Sequence, residues 1–461
     1  MEKDTFTFHS RLAFPAQEVF DWHMRPGAIE RLTPAWTRIE VNRRARRLGE
    51  GSLIELTTRI GPFKQHRLLE RLELQPGRRF CDIQLEGPYP YWKHDQRFIP
   101  QDSGGCRTED RLDYLIPYGR AGMRLAGGKI RKNLELVFEY RQAILARDLE
   151  THRRIVEIAG RRFKVLVTGS SGMIGRALVN FLASGGHTVI RLVRSREPAS
   201  EGALYWDPAA GVLSRAGLEG LDAVVHLAGE NIAAGRWTKK RMARLIASRL
   251  DSTRLLGETL KKLAHPPEVF LCASACGYYG DRGAEILDEE GDPGEGFLAG
   301  LASQWEAAAA SAGPPGIRVV NLRFGMVLSP SGGALAALLP LFRLGAGGRL
   351  GNGKQYVSWI SMEDALHAMA QALVEKSLRG PVNLVSPGAV TNSEFAGTLA
   401  HVLKRPALLP APAPALKIAL GRMAEEMLLS GCRVRPAKLE AGGFKFAHPE
   451  LEAALRFLLG R

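Results

Sequence analysis

Residues 163–168 read Phe163-Lys-Val-Leu-Val-Thr168, followed at once by Gly169-Ser170-Ser171-Gly172-Met173-Ile174-Gly175 and then by Arg176-Ala-Leu-Val-Asn-Phe-Leu182. The first six residues are mostly apolar and β-branched, which predicts a strand covered on both faces. The last seven have helical spacing. Between them lies GxxGxxG, a variant of the dinucleotide fingerprint. Gly169 permits a tight turn, Gly172 lets the backbone approach a pyrophosphate, and Gly175 permits close helix–strand packing. The helix then offers free N–H groups and a positive dipole end to the anion. The strand–loop–helix context separates this pattern from a chance run of glycines. It predicts the start of a doubly wound α/β sheet.

Downstream the same alternation continues. Strands are expected near residues 188–193, 222–228, 268–274, 317–322 and 381–385, separated by helical stretches. That order means a parallel Rossmann sheet with right-handed crossovers and helices on both faces. The second strand ends at Val193 in Arg194-Ser195-Arg196. A site for NAD places an acid at that end, about 20 residues after the loop, to hold the ribose 2′-hydroxyl. A guanidinium there suits a 2′-phosphate instead, so the expected cofactor is NADP(H). The nearest acid, Glu197, lies past the strand end.

Upstream of residue 160 the character changes. Phe6–Phe14 alternates like a strand, and Pro15–Trp22 reads as a helix with proline at its start. Strands are expected around 36–43, 52–60, 64–74, 79–86, 92–100 and 107–116, broken by turns such as Gly61-Pro62 and Pro76-Gly77. Residues 123–147 have helical periodicity, and 148–162 read as a linker or helix extension. The resulting division is 1–150, a linker at 151–162, a Rossmann domain at 163–385 and a smaller subdomain at 386–461. Pro410–Pro414 is expected to be a rigid loop.

The whole chain of 461 residues is 45% hydrophobic and 24% charged, which excludes wholesale disorder. No apolar run is long enough for a transmembrane helix, and Met1–Phe8 has no apolar core of a signal peptide. Five scattered cysteines predict no disulfide framework and fit a reducing cytoplasm. The Cys272/Cys276 pair reads as buried small side chains. The net charge of +15 is spread along the chain. Its densest cluster, Arg43-Arg44-Ala45-Arg46-Arg47, has no nucleic-acid motif around it and reads as a solvated turn. No zinc spacing, GxSxG elbow or P-loop occurs, so metal, serine-hydrolase and nucleoside-triphosphatase chemistry is not expected.

Two resemblances add to this reading. The opening RLAFPAQEVFDWHMRPGAIERLTP (11–34), a strand and then a proline-started helix, resembles the START-like superfamily of polyketide cyclases and lipid-transfer proteins. It implies an α+β helix-grip domain over residues 1–150 that holds an apolar ligand between its sheet and last helix. The stretches LAGENIAAGRWTKKR (227–241), SACGYYG (274–280), FLAGLASQWEAAA (297–309), RFGMVLSPSGGAL (323–335) and WISMEDAL (359–366) resemble an epimerase-like subfamily of extended short-chain dehydrogenase/reductases. The tail EMLLSGCRVRPAKLEAGGFKFAHPELEAAL (426–455) resembles that subfamily's short C-terminal domain. The resemblance implies that Gly169, Ser170, Ser171, Gly172, Met173, Ile174 and Gly175 cradle the pyrophosphate and that Val193 and Arg194 meet the adenosine ribose. It also implies that Leu227, Ala228 and Gly229 line the nicotinamide ribose, with Arg249 as a further contact and Gly325–Val327 closing over the nicotinamide. A homodimer is the superfamily's common assembly.

The catalytic pattern departs from that family. Its usual Tyr-x-x-x-Lys pairs a proton-transferring tyrosine with a lysine that lowers its pKa. Aligned on Trp305-Glu306, those positions fall on Phe297 and Leu301, which can do neither. Ser274 occupies the usual serine position. Replacement candidates are Glu230, Asn231, Tyr278, Tyr279, Glu289 and Glu290. Arg236, Trp237, Lys239, Lys240, Arg241 and Arg323 are candidates for holding an anionic substrate. Three functions stay open: an NADP(H)-dependent oxidoreductase or epimerase acting on a small molecule, a non-catalytic NADP(H) sensor, and an apolar-ligand carrier.

Overall fold

A computed structural model describes residues 3–44, 49–60, 63–195, 202–313 and 316–461. Ala45–Arg47 of the basic cluster, the Gly61-Pro62 turn, and Arg196 and Glu197 lie outside the described residues. The chain divides into two compact units. One is Met1–Glu157 with Asn180–His187 and Gly460; the other is Ile158–Val179, Thr188–Leu459 and Arg461.

The first unit opens with β1 (Asp4–Leu12). Pro15 then caps α1 (Ala16–Met24), which buries Val19, Phe20, Trp22 and His23. Gly27 turns the chain at φ 90° into the short α2 (Ala28–Arg31), a conformation that favours glycine. Six strands follow as a meander: β2 (Ile39–Arg44), β3 (Leu53–Ile60), β4 (Phe63–Gln75), β5 (Arg79–Glu86), β6 (Tyr91–Pro100) and β7 (Cys106–Leu115). The seven strands form one antiparallel sheet in the order β1-β7-β6-β5-β4-β3-β2. The 41-residue helix α3 (Gly119–Ala159) runs through residues 151–159 without a break. It contributes Leu134, Phe138, Leu145 and Leu149 to the core, where Phe20, Phe80 and Phe98 pack tilted or edge-on at 5.5–6.4 Å. Such arrangements suit the aromatic quadrupole.

The second unit carries the parallel sheet. Its strands are β8 (Lys164–Thr168), β9 (Thr188–Val193), β10 (Ala203–Asp207), β11 (Val212–Leu213), β12 (Ala223–His226), β13 (Val269–Ala275), β14 (Arg318–Phe324) and β15 (Gly380–Leu384). They lie in the order β11-β10-β9-β8-β12-β13-β14-β15, with only β11 antiparallel. Every residue of Val165–Thr168 and Ala223–His226 is buried, as a strand covered on both faces requires. The order reverses between β8 and β12, the switch point at which open α/β sheets bind ligands.

Helices α4 (Met173–Ser184), α5 (Lys239–Leu260), α6 (Phe297–Ala310), α7 (Gly333–Arg343) and α8 (Met362–Val374) connect the strands. Leu250, Leu256, Trp305 and Ala309 of α5 and α6 share one core with Leu166, Val224 and Phe270 of the sheet. Beyond β15 come α9 (Asn392–Leu403), α10 (Ala413–Leu420), α11 (Ala437–Ala441) and α12 (Leu451–Leu459). Helix α10 starts inside the expected loop at 410–414, because proline fits the first turn of a helix. A second core joins Leu335, Leu339 and Phe342 to Phe395, Leu399, Leu451 and Leu455.

Candidate functional site

The loop between β8 and α4 explains two of its glycines by sterics. Gly169 sits at φ 66°, and a Cβ there would lie 2.7 Å from the Leu227 carbonyl oxygen. A Cβ on Gly175 would lie 2.2 Å from the Gly169 carbonyl oxygen. Helix α4 therefore begins against the loop itself, with the Gly172 N–H donating to Gly169 at 2.9 Å and the Arg176 N–H to Gly172 at 3.0 Å. The amides of residues 173–175 have no helical acceptor and are available to an anion. Ser171 and Gly172 are exposed, and Met173 packs against Gly332 and Gly333 at the start of α7.

A buried relay fixes the neighbouring strand end. The Thr168 hydroxyl accepts the N–H groups of Leu227 and Ala228, both at 3.1 Å. Its proton therefore goes to His226 Nδ1 at 2.7 Å. That leaves Nε2 protonated, facing Thr253 at 3.1 Å and Ser252 at 3.2 Å. Burial lowers His226 from 6.5 to about 3, so it stays neutral. Thr253 also accepts the Trp305 indole N–H at 3.0 Å, which ties α5 and α6 to the same point.

Past β12, Gly229 faces the Arg249 guanidinium, whose carbon would be 3.3 Å from a Cβ there. Arg249 donates to the carbonyls of Leu245 at 3.1 Å and Glu230 at 3.2 Å and lies 5.0 Å over Trp305. Burial brings its pKa down to about 10. The Glu230 carboxylate pairs with Arg241 at 3.3 Å and Arg244 at 3.4 Å, and Arg241 also donates to the Asn231 carbonyl. The basic stretch is thus partly used in holding this loop, while Lys239 and Lys240 stay exposed. Val193 ends β9, and the exposed Arg194 has no hydrogen-bond or ion-pair partner among the described residues.

The candidates beyond β13 fall into two groups. Ser274 donates to Glu306 at 2.6 Å, and Glu306 holds Arg323 through two bonds of 2.9 Å. Arg323 also donates to the Tyr279 hydroxyl at 2.9 Å; that hydroxyl faces the Asp288 carbonyl and the Asn383 side-chain oxygen, both at 2.8 Å. Tyr279 is fully buried, and burial raises its pKa. Ser274, Glu306, Arg323, Tyr279 and Asn383 thus form a closed network in which each polar group has a partner. Tyr278 differs. Its ring stacks 3.5 Å from the Arg323 guanidinium, it is half-buried, and its hydroxyl has no partner among the described residues.

Glu289 is buried and accepts the Asn383 and Lys438 N–H groups, with burial raising its pKa. Glu290 is exposed. Gly325 is followed by a short strand, Met326–Leu328, that pairs with Trp359–Ser361.

Phe297 and Leu301 open α6. Phe297 packs edge-on to Trp237 at 5.2 Å, and Leu301 is buried with Trp237, Leu245 and Met423. Glu426 accepts the Leu298 N–H at 2.9 Å and so satisfies one orphan donor of this helix. Thr168, Asn383 and Glu426 carry no motif that marks them from sequence, and Glu306 stands out there only beside Trp305. For Glu306 a signal existed: Arg323, an arginine near the end of a mostly apolar strand, is buried and needs an anion. All five cysteines are free and buried. Among the described residues no cluster of His, Cys, Asp or Glu could hold a metal. No helix among them is long and apolar enough to cross a membrane.

The first unit holds a cavity of about 720 Å³ walled by the sheet, the α2 region and α3, including Ile54, Leu56, Leu69, Leu112, Leu134 and Phe138.

Comparison with known proteins gives two family matches: the NAD dependent epimerase/dehydratase family over residues 165–384, and a domain of unknown function, DUF1731, over 411–458. An epimerase family protein of Mycobacterium bovis is 42% identical over 297 residues, covering 64% of this chain and 98% of the relative. The crystal structure of a nucleoside-diphosphate sugar epimerase from Corynebacterium glutamicum matches at 31% identity and a TM-score of 0.80, covering 99% of this chain and 90% of that one. The structure of the human epimerase family protein SDR39U1 (isoform 2) with NADPH matches at 36% identity and a TM-score of 0.60, covering 65% of this chain and 99% of that one.

Proposed function

The chain belongs to the NAD-dependent epimerase/dehydratase family, and from that premise we propose that it is an NADP(H)-binding oxidoreductase or epimerase lacking the usual Tyr-x-x-x-Lys pair. The observation that carries this reading is the glycine cradle. Side chains at 169 and 175 would collide with backbone, while the first-turn amides of α4 stay available. These residues fit a dinucleotide pyrophosphate. Arg194, which has no partner among the described residues, fits a 2′-phosphate, and NADPH in the human relative's structure supports the same cofactor here. Val193, Leu227, Ala228 and Gly229 would flank the two riboses, with Arg249 holding the Gly229–Glu230 backbone in place. When bound, NADP(H) supplies or accepts a hydride.

Proton handling then falls to this chain's own side chains. Ser274 and Tyr279 have their hydroxyls engaged, and Glu230 is paired with two arginines. Tyr278 is the candidate whose hydroxyl has no partner among the described residues, and its ring lies against the Arg323 guanidinium. We assign it the proton transfer. Around this site we keep the division into 1–150, 151–162, 163–385 and 386–461. The first part is read as a START-like helix-grip domain, because the strand–helix–helix–meander–helix order and the cavity suit an apolar ligand. Free buried thiols support a reducing, cytoplasmic setting.

The packing of Phe297 on Trp237 favours one second reading, an NADP(H) sensor without turnover. Calorimetric titration of the full chain with NADPH and NADH, followed by NADPH oxidation with a carbonyl panel, separates the two. Turnover that falls about 100-fold or more in Tyr278→Phe supports the enzyme. Binding of NADPH with no turnover supports the sensor. No binding of either nucleotide refutes both.

A further inference from the structure

The cavity of the first unit has a mostly apolar wall but an uneven charge. Arg67, Arg71, Lys129 and Arg141 line it, against one carboxylate, Asp82. Asp82 is already taken by Arg71 through bonds of 2.8 and 3.0 Å. Asp110 lies in an adjoining smaller cavity and is held by His94 at 2.9 Å. His23 adds no charge, because burial lowers it to about 4. Its Nδ1 donates to the Val19 carbonyl at 2.8 Å, and its Nε2 faces Gln96. Among the described residues Arg141 makes one hydrogen bond, to the Leu32 carbonyl at 3.1 Å.

Arg67 is the odd group. Its guanidinium lies 4.4 Å over the Trp92 ring and 5.9 Å from that of Tyr89. Stacking engages the face of the guanidinium and not its in-plane N–H groups. Its Nε and Nη2 are shielded from solvent and have no hydrogen-bond partner among the described residues. Burial, with the like charge of Arg141, brings Arg67 down to about 10. A desolvated, unpaired guanidinium is costly to a fold unless an anion completes it. The volume of about 720 Å³ is in the range of small-molecule sites.

We propose that this cavity takes an apolar molecule with an anionic head, a carboxylate or phosphate monoester, whose oxygens pair with the Arg67 fork in the field of Arg141. The inference rests on the apolar-ligand reading of residues 1–150 and adds a charge requirement to it. The aliphatic wall takes the body of the molecule; the stacked Arg67 fixes the head.

The test is a fluorescence titration of the full chain at pH 7.5 with 1-pyrenebutanoic acid and with its methyl ester. The acid is expected to bind at least about tenfold tighter, as loss of one charge-assisted contact implies. Arg67→Met should cut that preference below about threefold while leaving ester and NADPH affinities unchanged. Arg67→Lys should restore part of it. Competition by dodecanoate and dodecyl phosphate, each stronger than dodecanol, supports the proposal, and their ranking identifies the head. Equal binding of acid and ester by the unaltered chain overturns the charge requirement but leaves the apolar-ligand reading standing. Binding of neither probe overturns both. An unchanged preference in Arg67→Met removes Arg67 from the site.

Discussion

Gly175→Ala tests the cradle at its tightest point. The new Cβ would lie 2.2 Å from the Gly169 carbonyl oxygen, 2.8 Å from its carbon and 3.0 Å from the Ser170 Cα. All three are backbone atoms, so no side chain can swing aside. An ordinary carbon–oxygen contact is about 3.3 Å, so loop and helix must part by about 1 Å. Charge-assisted bonds of about 2.8 Å stretched by that amount leave hydrogen-bond range. Each is worth about 1.5–3 kcal/mol, so losing one or two weakens NADPH by roughly tenfold to 20,000-fold. Overpacking adds about 1–3 kcal/mol of destabilisation. Calorimetric titration and thermal melting read the two effects. Gly397→Ala is the control, since nothing lies within 4 Å of a Cβ there. It should leave NADPH binding alone and, lying within α9, stabilise the chain by up to about 1 kcal/mol. A dissociation constant for Gly175→Ala within twofold of the unaltered chain would refute the cradle argument.

Three further outcomes are expected. Arg194→Asp should weaken NADPH by about 10- to 100-fold and NADH little, since charge-assisted bonds to the 2′-phosphate are lost; equal losses in calorimetry would dismiss the assigned role. Arg323→Met leaves Glu306 buried and unpaired and should cost about 3–5 kcal/mol in denaturant unfolding, most of it regained in Arg323→Met/Glu306→Leu; a double variant no more stable than the single one contradicts this. His23 and His226 have folded values near 4 and 3 against 6.5, so the unfolded chain binds more protons between those limits. Their stabilisation is therefore full above about pH 6.5 and declines below it, by about 2 kcal/mol each at pH 5. Histidine ring resonances followed by NMR should show both neutral at pH 5, and either one titrating above pH 6 would disprove the assignment.

The strands around the two cores were legible because their signals are local. Val165–Val167 form an unbroken apolar run, as a strand covered on both faces must. In the first unit, Thr108, Asp110, Leu112 and Tyr114 are buried while their neighbours are more exposed, which fits a one-sided antiparallel strand. The β10–β11 hairpin has no such local signal: Ala203–Asp207 is short, and its pairing with β9 and β11 makes it a strand. At the site, the glycine loop was visible because each glycine answers a short-range constraint. The Ser274–Glu306–Arg323–Tyr279–Asn383 network was not, because it joins residues from β13 to β15 and exists only after folding. The same distance hid Glu426, which acts on a helix start more than a hundred positions earlier.

That last contact sets an order of events during synthesis, when chains fold from the N-terminus as they emerge. A nascent chain that has released residues up to 420 already possesses β8, α4, β9 and β12, and with them the glycine loop. Its α6 start still lacks Glu426, and the Trp237–Leu301 cluster still lacks Met423. The glycine loop and its flanking strands can therefore form while the start of α6 still waits for the segment that carries Met423 and Glu426.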